Sequence, residues 1–390
     1  MSGYIFALDN VATLRWYAEK GVYATKVSRP GAYWAANHLY TLGDYLTMRP
    51  GDLVFFFMRR KIYGVGRIVG VAGSESSSAA LCNYPSSHMP DAHAVQQDLL
   101  WDEGDDQDRP WLCLFEPFPH FFVDGLDMDE VLDADVRGVV QALRVFERVS
   151  FIQMRDEEVD LLIDLFTRRF SPAAAEHYED DHASCHNEIR ERMGQCPDLY
   201  TVNTRELIRF YIEDNGEVRS EAALETWLVG EMARPDAPVR KLMGNWSFVT
   251  HQFPASPHKP TQYMDRIDVL GWETGRLADG AKSTVTRFKV VEIKKNPLAG
   301  RAGEETVAQL MKYVDWVTNH EAGGDYSMVD AYLIARDFSE DTVAYCMEKA
   351  KREFVFQRRP FTSKTWDNLA LLAYWYDTHH DMLRLEKIYP

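Results

Sequence analysis

Cysteine is scarce in this chain: five in 390 residues, at Cys82, Cys113, Cys185, Cys196 and Cys346. An odd number, so widely scattered, builds no disulfide framework, and the expected compartment is a reducing cytoplasm. Long apolar runs are missing too. The longest in the N-terminal part, Leu53 to Met58, falls far short of the roughly 20 residues that cross a bilayer. Met1 to Lys20 has no basic leader ahead of an apolar core, so no signal peptide and no membrane partner are expected. Positive charge is also short. Against 60 Asp and Glu there are 43 Lys and Arg, a net charge of -17. That balance argues against a chain that coats nucleic acid indiscriminately, because phosphate binding is mainly electrostatic. It leaves room for a local basic groove or a metal-bridged contact.

What is present is apolar material for more than one core: 46% hydrophobic and 13% aromatic residues over a length that exceeds what one core usually supports. In the N-terminal part, Tyr4-Ile5-Phe6-Ala7-Leu8 reads as a strand. Trp34 to Leu46 has a helical rhythm through Leu39, Leu42 and Leu46. Met48-Arg49-Pro50-Gly51-Asp52 is a turn, Leu53 to Phe57 a buried strand, and Arg59-Arg60-Lys61 the tip of a hairpin returning along Ile62 to Gly70. Glycines at alternate positions on that return predict tight curvature or close backbone approach. Residues 73–110 read as a long surface excursion and Trp111 to Phe115 as a strand. A further strand falls within Phe146 to Met154, and Asp156 to Phe170 reads as an amphipathic helix.

These first 170 residues resemble the EVE domain, a PUA-like β-barrel of α+β class related to the YTH readers. The resemblance rests on Trp34, on Arg49-Pro50-Gly51-Asp52-Leu53-Val54-Phe55-Phe56, on Ile62-Tyr-Gly-Val-Gly, and on Arg148-Val149-Ser150-Phe151-Ile152. It implies an aromatic pocket for a modified nucleobase, since a flipped base has two π faces to stack. Trp34, Phe57, Trp101 and Trp111 are the candidates, weighed against the commoner role of such aromatics as core. Arg59, Arg60 and Lys61 are candidate phosphate contacts, against the plainer reading of a solvated turn.

Residues 171–202 are acidic and poor in apolar side chains, hence a linker. His177, His182, Cys185, His186 and Cys196 within it match no standard zinc spacing. Residues 203–390 then form the second domain. Thr204 to Asp214 reads as a helix stopped by Asn215-Gly216, and Ser220 as the N-cap of a helix over Glu221 to Met232.

The chemistry concentrates downstream. In Phe288 to Lys294 side chains alternate between faces, so Glu292 and Lys294 point one way while Val291 and Ile293 enter an apolar layer. An acid and a base on an otherwise apolar strand are costly to bury unless paired or bound to metal. Asp268, between Ile267 and Val269, is a charge of the same kind. Hairpin pairing across a loop from Trp272 to Arg287 brings it beside Glu292. Two carboxylates and the Ile293 carbonyl make a hard oxygen site suited to Mg²⁺ or Mn²⁺. Lys294 then orients or deprotonates a water, or stabilises phosphoryl charge. Gln309 and Tyr313 lie one helical turn apart on one face. Glu221 and Glu225 are likewise four apart, and either can supply a helix carboxylate.

In this order Glu…Asp…Glu-x-Lys…Gln-x-x-x-Tyr resembles the PD-(D/E)XK nuclease superfamily. Ser-Glu-x-x-Leu, Ile-Asp-Val-Leu, Val-Val-Glu-Ile-Lys and Gln-Leu-x-x-Tyr-Val are similar to its RecB-like and NucS/EndoMS branch. The resemblance spans residues 220–336. It implies an α/β core with a mixed sheet flanked by helices, Asp268 and Glu292 as metal ligands, and Lys294 as the catalytic lysine. It implies Glu221 as the helix acid with Glu225 in reserve, and Gln309 and Tyr313 as the trailing helix motif. The proline usual before the first strand acid is replaced by Arg266-Ile267.

Beyond lie an expected strand at Val329 to Ala335, a helix at Ser339 to Arg352 and an aromatic helix at Trp366 to Tyr376, a helical C-terminal extension. The stretch holding Lys349, Lys351, Arg352, Arg358, Arg359 and Lys364 is the densest in basic residues. Arg358 and Arg359, with Lys295 beside the Glu-x-Lys strand, are candidate backbone contacts. The expectation is a Mg²⁺- or Mn²⁺-dependent endodeoxyribonuclease, directed to DNA with a modified base and acting in restriction or antiviral defence, with a homodimer as the guess for its assembly. The rivals are mismatch or branched-DNA repair, RNA cleavage, and a reader without catalysis.

Overall fold

In the computed structural model, the described residues are 2–8, 10–25, 34–70, 81–82, 111–116, 124–135, 140–145, 150–170, 187, 190–191, 204–234, 236–255, 264–276 and 283–389. The chain divides into two compact units, Met1–Glu206 and Leu207–Pro390. Both mix helices and strands. Among the described residues no helix is long and apolar enough to cross a membrane.

In the first unit, β1 (Gly3–Ala7) runs parallel to β3 (Leu53–Met58). The sheet is completed by β4 (Lys61–Arg67), β7 (Leu126–Asp127) and β8 (Phe151–Met154), in the order β7-β4-β3-β1-β8. Strand β2 (Val22–Thr25), β5 (Leu81–Cys82) and β6 (Trp111–Leu114) form a second, three-stranded sheet. The bridge Ile68↔Phe115 ties the end of the β4 segment to β6. Among the described residues these strands do not close into the expected barrel.

The near-continuous apolar run of β3 follows from cover on both faces. Ile5 and Phe55 pack with Val159, Leu162 and Phe166 of α5 (Asp156–Arg169). On the other side Phe6 meets Tyr23 and Phe151, and Phe56 meets Phe115. Close approach does explain one of the alternate glycines: a Cβ on Gly66 would sit 3.0 Å from Val54 and 3.1 Å from Phe115. Further helices of this unit are α1 (Val11–Lys20), α2 (Ala36–Thr47), α3 (Met128–Ala134) and the single turn α4 (Ala142–Val145).

Helix α6 (Thr204–Arg209) is shorter than the sequence rhythm predicts, because Phe210 to Val218 folds into turns closed by the Ile212↔Val218 bridge. The second unit then builds one six-stranded sheet, in the order β16 (Met382–Tyr389), β15 (Leu369–Asp377), β12 (Val329–Ala335), β11 (Ser283–Ile293), β10 (Arg266–Arg276), β9 (Phe248–Pro254). Strands β9 (Phe248–Pro254), β10 (Arg266–Arg276) and β11 (Ser283–Ile293) are an antiparallel meander. Helix α9 (Gly300–His320) crosses over to β12 (Val329–Ala335), which is parallel to β11. Val307, Leu310, Met311, Val314 and Val317 form a stripe on α9, and they pack on Val290, Ala331 and Leu333 in one core. Helices α7 (Glu221–Ala233) and α8 (Arg240–Met243) precede the meander, and α10 (Glu340–Lys349) follows β12.

Two expectations are corrected here. The segment from Trp272 to Arg287 is largely strand: β10 and β11 continue as a long twisted ribbon with a register shift at Glu273/Thr274, leaving only 277–282 between them. The C-terminal extension has its first expected helix, as α10, but is β beyond it, where a second helix was expected over Trp366 to Tyr376. After α10 come β13 (Arg352–Arg358) and β14 (Phe361–Trp366), a two-stranded ribbon. They are followed by β15 (Leu369–Asp377), parallel to β12, and β16 (Met382–Tyr389). Leu369–Ala373 is buried in the sheet between β12 and β16. A buried strand of that kind carries no alternation to distinguish it from a buried helix.

Candidate active site

The antiparallel register Val269↔Val291 places Asp268 opposite Glu292 at the end of the β10–β11 ladder. Asp268 uses Oδ2 to accept the Ile293 amide N–H at 2.7 Å, so its carboxylate is fixed by the neighbouring strand. Glu292 is fully buried, in line with Val290 on the face that α9 covers. Its Oε1 accepts from Lys294 Nζ at 2.6 Å. Its Oε2 is buried with no hydrogen-bond partner among the described residues. Lys294 follows the strand, and its amide N–H donates to the Ile334 carbonyl at 2.8 Å, which keeps the Glu-x-Lys run in the ladder with β12.

The electrostatics are those of crowded acids. Burial raises the Asp268 carboxyl well above its ordinary range, and the charges of Glu292 and Glu225 push it further. Glu292 is raised by burial, with Lys294 pulling it back and Glu221 and Glu225 adding to the rise. Lys294 is lowered by burial, but the charges of Glu292 and Asp268 outweigh that and hold it above its ordinary value. Helix α9 lays Tyr313 beside the same charges. Gln309 Nε2 donates to its hydroxyl at 3.0 Å, and burial lifts the phenol to about 12.

Both helix acids approach this cluster. Glu221 Oε1 accepts the Lys295 amide N–H at 3.3 Å, and its charge acts on Glu292 and Lys294. Glu225, one turn further along α7, is buried and acts on both Asp268 and Glu292. It is held by two side chains of β9 that sequence reasoning missed. His251 Nδ1 lies 3.0 Å from Glu225 Oε1, and Gln252 Nε2 donates to both carboxylate oxygens, at 3.2 and 3.0 Å. Gln252 does so from a left-handed backbone (φ 49°), a conformation non-glycine residues rarely adopt. The only local signal was a His-Gln pair inside an apolar strand. Its meaning depends on α7, which is distant in sequence. Ser220 caps α7 by position, without a side-chain hydrogen bond.

The donor set fits a hard divalent cation. Glu292 Oε2 is a buried acceptor without a donor, and the acids around it raise one another, a situation that a cation relieves. Among the described residues no three Asp, Glu, His or Cys side chains are yet grouped to hold a metal ion. The residues that would hold such a cation are the two strand carboxylates, Asp268 and Glu292, with the Ile293 carbonyl as the third oxygen expected from the sequence.

Of the other candidates, Lys295 adjoins the cluster and the rest lie on other elements. Lys295 donates from Nζ to the Arg219 carbonyl at 3.1 Å, and its own carbonyl accepts from the Tyr374 hydroxyl. Arg358 and Arg359 stand at the end of the β13–β14 ribbon. In the first unit, Arg59 and Arg60 form a turn with φ of 48° and 66°. Arg60 pairs there with Asp129, and Lys61 donates to the Asp124 carbonyl. Trp34 is buried, 6% exposed, and Phe57 is half-buried against the core. Those placements give both rings a packing role. Of Trp111 the structure describes the backbone, paired with Thr25. Trp101 and the His and Cys residues of the linker lie outside the described residues, as do Arg148 and Val149.

No family model matches the chain, and no curated protein matches it. Among solved structures, a Pseudomonas putida protein determined as a structural-genomics target is 17% identical, over 42% of this chain and 98% of its own, with a TM-score of 0.26. A likeness at that level carries no argument about fold or activity.

Proposed function

We propose that this chain is a Mg²⁺- or Mn²⁺-dependent nuclease that hydrolyses phosphodiester bonds in DNA, with the first unit directing it to DNA bearing a modified base. The observation that carries the reading is the Glu292 carboxylate: fully buried, bonded to Lys294 through one oxygen, with the other oxygen unsatisfied and Asp268 opposite it. A purely structural ion pair of this burial satisfies both oxygens.

A divalent cation at such a site supplies Lewis-acid neutralisation of phosphoryl charge and a more acidic water. The chain's own residues do the rest. Asp268, locked by the Ile293 amide, and Glu292 hold two oxygens at fixed spacing. Lys294 stays protonated at neutral pH and presents its ammonium where negative charge develops in the transition state. Tyr313, equally protonated, offers its hydroxyl as a donor, oriented by Gln309. Glu221 or Glu225 is the acid that α7 brings to the cluster. A site that grips backbone phosphates has little sequence choice, and this is the physical case for a separate reading unit.

The test is cleavage of duplex DNA, modified and unmodified, by the full chain in Mg²⁺ or Mn²⁺, with Glu292→Gln and Asp268→Asn as controls. Metal-dependent cutting by the parent and none by either variant supports the assignment, whereas equal cutting by parent and variants removes it. Indifference to a panel of base modifications removes the reading role of the first unit.

A further inference from the structure

The β13–β14 ribbon has no part in the site just described, yet it is the most unusual surface of the second unit. Its root is fixed. Trp366 is buried and donates from Nε1 to the Val329 carbonyl at 2.7 Å. Arg352 bonds both oxygens of Asp315, at 2.8 and 2.9 Å, and Phe354 packs on Tyr326 with ring centroids 5.9 Å apart. From Val355 onward the ribbon leaves the body. Eight large apolar residues are exposed among those described, and three of them are here: Val355 at 50%, Phe356 at 49% and Phe361, the most exposed of all, at 71%.

Charge points the same way. In a chain of net charge -17, residues 349–366 contain six Lys or Arg and a single acid, Glu353. Arg352 is used by Asp315 and Lys349 by Glu348. Lys351, Arg359 and Lys364 are exposed and carry no acidic partner among the described residues. Lys364 Nζ sits 3.4 Å above the Phe356 ring, which holds that ammonium on the outer face of the ribbon. A basic, aromatic, solvent-facing ribbon matches a polyanion with flat apolar surfaces and does not match an acidic or apolar protein face alone. Its width decides between polyanions. The major groove of B-form DNA admits a two-stranded β-ribbon, whereas the major groove of A-form RNA is too deep and narrow to be entered.

We propose that the β13–β14 ribbon enters the major groove of duplex DNA, with Lys351, Arg359 and Lys364 on phosphates and Phe361 against the base edges at its tip. This rests on the nuclease reading and deepens it, since it selects duplex DNA over duplex RNA. The register puts the ribbon root, at Val329, four residue pairs along β12 from Leu333, the partner of Glu292. At about 3.3 Å per residue that is about 13 Å, a separation that lets one duplex touch both.

The experiment measures binding of the full chain to a short labelled DNA duplex, and to an RNA duplex of the same sequence, in EDTA across a salt series. The Arg359→Ala/Lys364→Ala double variant is expected to lose about tenfold in DNA affinity and about 1.8 in the log–log salt slope, because each lost phosphate contact removes about 0.9. Phe361→Ser is expected to lose about fivefold with the slope unchanged. The charge-conserving Arg359→Lys/Lys364→Arg variant is expected to bind as the parent does. DNA binding by the double variant equal to the parent, RNA duplex bound as tightly and with the same dependence on the ribbon, or no duplex binding by the parent would each overturn the proposal. Cleavage separates it from the nuclease reading. Glu292→Gln is expected to bind DNA like the parent and fail to cut it, so a Glu292→Gln protein that still cuts sinks the chemistry and leaves the ribbon untouched.

Discussion

Glu158 in the first unit and Glu292 in the second are both buried almost completely, and the two are buried in opposite ways. Glu158, in the third position of α5, accepts the Gln141 and Ala142 amides through Oε1 at 2.7 and 2.8 Å, and the Arg155 amide through Oε2 at 2.9 Å. It closes a capping box and satisfies two backbone amides at the start of α4. Glu292 has one donor, the Lys294 ammonium, and one oxygen with none. Both carboxyls are raised by burial. The Arg155 charge and the amides pull Glu158 back, whereas Glu292 sits among further acids. A carboxylate saturated by fixed amides is part of the scaffold. One left half-satisfied among other acids costs stability and is retained for what it binds.

That contrast breaks most sharply on chemistry. Glu292→Gln and Asp268→Asn are expected to lower metal-dependent cleavage by about a thousandfold, the scale of losing a pre-organised charge-stabilising group. Their melting temperatures are expected to hold or rise, because a strained buried charge is removed. A parallel fall in stability would make Glu292 a scaffold group like Glu158. Next in size, Lys294→Met is expected to cost about a hundredfold in single-turnover rate. A loss confined to KM would make the lysine a binding contact only. Smaller again, Glu158→Ala is expected to destabilise the first unit by about 2 kcal/mol, through amides left without an acceptor. Cleavage per folded molecule is expected to be unchanged, and denaturant melts followed alongside activity check both halves of that statement.

Why one of these glutamates was legible in the sequence and the other was not is a matter of range. Glu292 and Lys294 stand out because strand alternation is local: two charges two apart, with Val291 and Ile293 between them, need no tertiary knowledge to be read as one polar face. Asp268 followed from hairpin pairing, the next most local rule. Glu158 looked like any acid in the first turn of a helix, and its partners Gln141 and Ala142 come from a separate segment. His251 and Gln252 were missed because their partner Glu225 lies on another element, 26 and 27 residues away. The aromatic stretch from Trp366 to Tyr376 misled for the opposite reason. Its core, Leu369-Ala-Leu-Leu-Ala373, is apolar at every position because side chains on both faces of this inner strand are buried, and no period survives there. In the segment from Trp272 to Arg287, the strand ribbon read as a loop because its described residues are mostly polar and half-buried or exposed, with Trp272 and Val285 alone packing on the core.

The smallest effect is the most discriminating, because it uses one titration to compare both glutamates. Asp268, Glu292 and Glu158 all have folded-state values above those of the unfolded chain. The folded protein therefore binds more protons than the unfolded one over that interval, and its stability falls as pH rises. The contribution is complete below the ordinary carboxylate range near pH 4 and is lost as pH climbs through the raised folded values. A divalent cation binds only the ionised carboxylates, so its stabilisation must grow as those protons leave. The expected result is a Mn²⁺-induced rise in melting temperature that is small at pH 5 and reaches a few degrees (about 2–4 °C per kcal/mol for a unit of this size) by pH 8. The rise is expected to be absent in Asp268→Asn and intact in Glu158→Gln. If the Mn²⁺ increment were flat across pH, or persisted in Asp268→Asn, the unsatisfied oxygen of Glu292 would not be a metal position and the two glutamates would differ only in their neighbours.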